Sequence, residues 1–144
     1  MSENESVVQG MLESANRHDP AAIHSYLAEA MHAVNPTIGA SAASRMHAAQ
    51  SALLVGFPDL QYQIDRTLSS GDMVVVECTL SGTHKGAFAG VGPTNKRIEL
   101  PAAFCVQIDG GKLTDCRAYF DTLTLLEQIG AISAQGPSVV TAHT

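Results

Sequence analysis

Two side chains in this sequence combine a reactive type with a position that a pocket could use, His84 and Asp121. His84 stands in Gly82-Thr83-His84-Lys85-Gly86. Upstream, Val74, Val76, Cys78 and Leu80 share one parity, and the same count continues through Gly82 to His84. Residues two apart in a strand face one side, so a strand running that far points His84 inward at the rim of the apolar face. A strand that stops earlier leaves it as an exposed loop histidine. The flanking glycines let a backbone or a ligand approach closely. Asp121 closes Tyr119-Phe120-Asp121 and precedes Thr122-Leu123-Thr124-Leu125-Leu126, which is the form of a helix N-cap. A carboxylate at a strand end beside an apolar cavity also suits a general base, and the two roles are compatible. In an apolar pocket its pKa rises from about 3.9, giving a stronger base still largely ionised near neutral pH.

The last strand surrounds Asp121 with further polar groups. Asp115, Arg117, Tyr119 and Asp121 share one parity, and Thr114, Cys116, Ala118 and Phe120 the other. Both faces are mixed, so the pattern leaves open which one lies inside. A base acting on a carbon acid needs a donor for the enolate oxygen, and His84, Tyr119 or Arg117 can supply it. An Arg117 facing Asp121 directly would instead hold that carboxylate low and weaken it as a base. The three cysteines, Cys78, Cys105 and Cys116, lie far apart in apolar runs. They read as small buried hydrophobes in a reducing compartment, without zinc-ligand spacing, so no metal or cofactor is expected.

The elements that position these residues follow from periodicity. Val8, Met11, Leu12 and Ala15 lie at helical spacing within 5–17. Asp19-Pro20 reads as an N-cap followed by proline at the first helical position, opening a short helix to about Ala28. Met31–Asn35 has room for a short strand before Pro36, and Ala40–Val55 reads as a third helix stopped by Gly56. The period then switches to two. Leu60, Tyr62, Ile64 and Leu68 mark one strand, Met73–Ser81 a second, Arg97–Ile108 a third and Lys112–Phe120 a fourth. Phe104 belongs to the apolar parity of the third. Asp109-Gly110-Gly111 is a hairpin turn, and Thr122–Gln128 a closing helix ended by Gly130. The pattern predicts an α+β fold, a curled antiparallel sheet over three N-terminal helices. Residues 1–130 form one domain and 131–144 a tail that is loose unless a partner holds it.

Composition narrows the function classes. The chain has 144 residues and a formal net charge of −6 with eight Lys plus Arg. No basic run offers phosphates a footprint, so nucleic acid is not expected as a partner. No apolar run approaches the roughly 20 residues of a membrane span, and the acidic start Met-Ser-Glu-Asn-Glu lacks a signal peptide's features. A cytoplasmic location is expected. Charged residues are only 15% of the chain. That low share suggests surface covered in a homodimer or homotetramer, through the outer sheet face, where Glu77 is the only charge from Val75 to Thr83.

Several segments, taken together and in order, resemble the SnoaL-like polyketide cyclase family. They are Asn16-Arg17-His18-Asp19, Asn35-Pro36-Thr37, Gly56-Phe57-Pro58-Asp59-Leu60, Gly71-Asp72, the stretch from Gly82 to Gly90, and Gly92-Pro93-Thr94-Asn95-Lys96. Asp109-Gly110-Gly111-Lys112-Leu113, Tyr119-Phe120-Asp121-Thr122-Leu123 and Leu125-Leu126-Glu127-Gln128-Ile129-Gly130 complete the set. The resemblance spans roughly residues 5–130. It implies the nuclear-transport-factor-2-like fold, a cone of curved sheet and helices around a pocket for a small, largely apolar organic molecule. It also implies a cofactor-free aldol-type ring closure or isomerisation with Asp121 as general acid/base. His84 matches a histidine that recurs in the family's pocket region. Tyr119, Arg117, Asn35, Gln107 and Phe104 are the candidate substrate contacts. The sequence departs from the family at Arg117, where an aromatic residue is common, and at Gln107, a neutral amide. Two other readings stand beside the cyclase. One is a non-catalytic binder of a small hydrophobic ligand; the other is an epoxide-type hydrolase, which would use Glu99 and Asn35 to hold water.

Overall fold

The computed structural model describes residues 2–35, 39–42 and 51–132, and gives no side-chain detail for 29–35 and 39–42. Helix α1, Glu3–Asn16, starts at Ser2, whose hydroxyl accepts the Glu5 N–H at 3.1 Å. Its apolar stripe, Val8, Met11, Leu12 and Ala15, is buried as the spacing predicts. The α1 end is stitched to the sheet. Asn16 accepts the Tyr62 N–H at 2.6 Å and donates to the Tyr62 carbonyl at 2.9 Å, while a His18 ring nitrogen lies 2.7 Å from the Leu60 carbonyl.

Helix α2, Pro20–Ser25, has Asp19 as its cap, accepting the Ala22 N–H at 3.1 Å. It ends before the expected Ala28, because Leu27 already belongs to a strand. That strand, β1 (Leu27–Asn35), pairs antiparallel with β2 (Gly39–Ala42). Residues 40–42 are therefore strand, not the start of a third helix. The helical residues described there are 51–56, called α3, and 43–50 lie outside the described residues.

Strands β3 (Gln61–Ser70), β4 (Met73–Thr83), β5 (Arg97–Asp109) and β6 (Lys112–Phe120) form the expected antiparallel meander. The full sheet has six strands in the order β2-β1-β6-β5-β4-β3, and β1 runs parallel to β6. The wholly antiparallel sheet is thus corrected by this one parallel pair. Gly110 and Gly111 both take positive φ in the β5–β6 turn, where a Cβ would be strained.

Burial alternates along β4, with Val74, Val76, Cys78, Leu80, Gly82 and then His84 buried. On β5 the inner series is Ile98, Leu100, Ala102, Val106 and Ile108, with Phe104 half-buried between them. One expectation fails on β3. Ile64 pairs with Cys78 and Arg66 with Glu77, so Asp65 is an extra residue, a β-bulge. The bulge flips the parity, and Leu68 opposite Val75 lies on the outer face, exposed instead of buried. Helix α4, Thr122–Gln128, returns Leu125 and Ile129 to the core. Residues 133–144 of the expected tail lie outside the described residues.

The turn at 56–60 closes on the end of β4. The Gly56 carbonyl accepts the N–H groups of Lys85 (3.0 Å) and Gly86 (3.2 Å). Asp59 accepts the Thr83 N–H at 2.7 Å and its hydroxyl at 2.8 Å, with Arg97 at 3.6 Å. Partial burial alone would raise the Asp59 pKa, but the Thr83 hydrogen bonds and Arg97 outweigh it and hold the carboxyl below the ordinary range. A Cβ on Gly86 would sit 2.0 Å from the Val55 carbonyl oxygen.

Two outcomes follow from this clasp. Gly86→Ala should destabilise by at least ~2 kcal/mol, since backbone must move to admit the methyl. Gly92→Ala, with nothing within 4 Å, should not lower the melting temperature at all. Asp59 stabilises the fold above the unfolded carboxylate pKa of about 3.9, and that contribution is lost as pH falls through its lower folded value. Asp59→Asn should therefore melt lower at pH 7 and show a shallower loss of stability below pH 4. Parallel pH profiles for the two proteins would refute the assignment.

Candidate functional site

Among the described residues, the inner side of the sheet is apolar with few exceptions; Ser14 and His84 are the buried polar side chains. His84 is fully buried at the end of β4. Its backbone is held from both directions, donating to the Lys96 carbonyl and accepting from the Asn95 N–H, each at 2.8 Å. The imidazole packs 5.4 Å from the Phe57 ring, and Phe57 lies 5.4 Å from Phe88. On its other side Nδ1 meets Thr94, with the hydroxyl at 2.9 Å and the backbone N–H at 3.3 Å. Nε2 is buried and has no hydrogen-bond partner among the described residues. The inward parity read from the sequence holds for His84.

Asp121 occupies the other position expected. It is the N-cap of α4, exposed, and accepts the Thr124 hydroxyl at 2.7 Å on one oxygen and the Thr124 N–H at 3.2 Å on the other. These bonds, the hydroxyl first, hold its pKa below the ordinary carboxylate value. The slight desolvation at this site raises it less than these bonds lower it. The group is ionised at neutral pH and is a weaker base than a carboxylate in a dry pocket.

The other candidates separate by face. Phe104 is on the inner side, between Val76 and Ala118 in register, with its ring 6.1 Å from that of Tyr62. On β6 the inner series is Cys116, Ala118 and Phe120, which settles the parity that the pattern left open. Arg117 and Tyr119 are exposed on the opposite face, opposite Cys105 and Ala103, and Gln107 is exposed on the same side. The expectation that these three join His84 around one ligand is corrected by strand alternation. Arg117 pairs with Asp115 at 3.4 Å rather than facing Asp121, and Glu99, proposed to hold water, is also exposed outward. Asn35 ends β1, and its side chain lies outside the described residues.

Tyr119 lines an open groove of about 420 Å³ on the outer face with Asp65, Glu77, Pro101 and Ala103. A second, about 440 Å³, lies between α1 and the sheet, lined by Glu5, Gln9, Ile64, Thr67 and Val76. Neither contains His84 or Asp121. The thiols of Cys78 and Cys116 are pushed up to about 12, chiefly by burial, so both are inert packing groups; Cys105 is half-buried on the outer face. No group of three His, Cys, Asp or Glu that could hold a metal occurs among the described residues. The residues that periodicity missed are Thr94 and Phe57. Both reach His84 across turns, and strand parity carries no signal for such contacts.

Comparison with known proteins places this geometry. The model of the SnoaL-like polyketide cyclase family matches residues 5–129. Among solved structures, AclR, a proposed hydroxylase of Streptomyces galilaeus, superposes with a TM-score of 0.86 at 23% identity, covering 99% of this chain and 90% of that one. A proposed SnoaL-like polyketide cyclase of Jannaschia sp. CCS1 gives 0.82 at 22% identity, covering 90% and 93%. IdmH, a proposed polyketide cyclase of Streptomyces antibioticus, gives 0.81 at 21%, covering 90% and 99%. No curated protein matches the sequence. At such identities the structural likeness establishes the nuclear-transport-factor-2-like fold, not a shared substrate. The family match takes in nearly all of the chain, and the protein belongs to the SnoaL-like polyketide cyclase family.

Proposed function

We propose that this protein takes a small, largely apolar carbonyl compound against the inner face of its sheet and promotes cofactor-free proton transfer on it, as in ring closure or isomerisation. The observation that carries this reading is His84, a fully buried ring on an apolar face with one nitrogen left unpartnered by the described residues. A buried polar atom left unpaired costs about 1–3 kcal/mol, and a ligand oxygen meeting it recovers that cost. A donor placed where an enolate develops lowers the barrier to removing a neighbouring proton. Phe104 supplies apolar contact on the same side.

Family resemblance assigns the acid/base role to Asp121, and its capping geometry favours a different role. Both oxygens are engaged by Thr124 in the open, which suits a structural cap. The same observation supports a second reading, a ligand-binding protein without turnover. Asp121→Asn separates the possibilities, because Asn caps as well as Asp but cannot take the proton. We expect the variant to melt with the wild type and to retain its rate of enolisation of an activated β-dicarbonyl compound. A fall of ~10²-fold or more at unchanged melting temperature would restore Asp121 as the general base. Absence of turnover in the wild type, with saturable binding of the same compound, would leave the binding protein.

We also propose that two copies pair through the outer sheet face, in the cytoplasm, where the three free thiols stay reduced. That face exposes Leu68, Met73 and Tyr119, and four of its charges are paired, Arg66 with Glu77 at 2.5 Å and Arg117 with Asp115. Covering it removes apolar surface from water without stranding those charges. Light scattering at micromolar concentration should report about twice the 15.1 kDa chain mass, and a 15 kDa particle would rule the pairing out.

A further inference from the structure

We infer that Thr94 is a positioning residue that fixes His84 as the Nε2–H tautomer, so that the buried ring offers a ligand a donor and selects for an acceptor oxygen. A backbone N–H can only donate, and the Thr94 N–H points at Nδ1 from 3.3 Å. Nδ1 must then carry a lone pair. The Thr94 hydroxyl agrees, because its oxygen already lies 3.4 Å from the Lys96 N–H as an acceptor and is free to turn its own hydrogen to Nδ1 at 2.9 Å. Two donors converge on one nitrogen, so the neutral ring's proton sits on Nε2.

The loop bearing Thr94 is itself held against His84. Asn95 donates to the His84 carbonyl and the His84 N–H donates to the Lys96 carbonyl. Phe57 packs on the ring, leaving it little freedom to flip and exchange its nitrogens. The proton on Nε2 is therefore buried and without an acceptor among the described residues. Such a group discriminates strongly between ligands, because only one bearing an acceptor there relieves the unpaired donor. A ketone or enolate oxygen fits. An apolar group leaves the donor unpaired, and a group offering only donors adds repulsion.

This inference rests on the ligand-binding function proposed above, and its test has one arm independent of it. Nitrogen-15 spectra of the histidine-labelled protein at neutral pH should show His84 neutral with its proton on Nε2. A ring protonated on Nδ1, or on both nitrogens, overturns the inference whether or not anything binds. The second arm compares 2-acetylnaphthalene with 2-isopropenylnaphthalene, near-isosteres that differ in the carbonyl oxygen. Wild type should prefer the ketone by about tenfold in Kd, the scale of one buried hydrogen bond. His84→Leu should abolish the preference. Thr94→Val should reduce it and broaden or shift the ring signals, and Thr94→Ser should restore both, whereas a merely structural threonine would move the melting temperature alone. Equal affinity for the two compounds in the wild type overturns the acceptor selection. If neither compound binds, the proposed ligand binding and the ligand half of this inference fall together, while the spectra still decide the tautomer.

Discussion

The structure turns on how the 56–60 turn meets the end of β4. A strand that leaves a sheet must have its backbone groups satisfied by something, and here the partner is another turn. Gly56 supplies one carbonyl to two N–H groups, Asp59 takes the N–H and hydroxyl of Thr83, and Phe57 fills the space beneath the imidazole of His84. These contacts need close approach. Gly86 and Gly82 provide it, since a Cβ on the first would strike the Val55 carbonyl and one on the second would come within 3.2 Å of Phe57. The clasp buries His84, keeps the 94–96 loop against it and ties α3 to the sheet. Without it the inner face would lose the buried imidazole and one of its walls.

Much of the architecture was legible because one face of each strand is buried, and burial writes period two into the sequence. The β4 series from Val74 to His84 and the β5 series from Ile98 to Ile108 are the clear cases. The caps at Asp19 and Asp121 were equally readable, because a short polar side chain before a helix has one local job. What failed has local causes too. The Asp65 bulge inserts one residue and reverses every later side chain on β3, and nothing in Leu60-Tyr62-Ile64-Leu68 announces it. The β2 segment, Gly39-Ala40-Ser41-Ala42, is made of small residues whose propensities do not distinguish strand from helix. Its pairing with β1 is a tertiary fact.

The candidate site was half legible for a related reason. Parity placed His84 and Phe104 correctly. It was mute on β6, where both series mix polar and apolar residues, and there Arg117 and Tyr119 belong to the outer face. Their polar character reflects solvent exposure and, by our proposal, a partner's surface. Several segments that carry the family resemblance turn out to have scaffold duties. Asn16 and His18 anchor α1 to Leu60 and Tyr62, the 56–59 turn clasps β4, and Asp121 starts α4. Resemblance built on such positions speaks to the fold with more force than to the reaction, as expected where one fold hosts many chemistries.

The contrast between Asp121 and His84 shows why burial decides between them as candidates. A carboxylate in water is already stabilised as the anion, and two hydrogen bonds from Thr124 stabilise it further. Taking up a proton there weakens both. The buried ring of His84 is in the opposite position, with one nitrogen well served and the other served by nothing the described residues supply. Folding alone has no use for that deficit: Phe or Leu in the same place would pack against Phe57 without it. A deficit that folding does not need fits a partner that arrives later, which by our proposal is a small molecule presenting one polar atom to the apolar inner face.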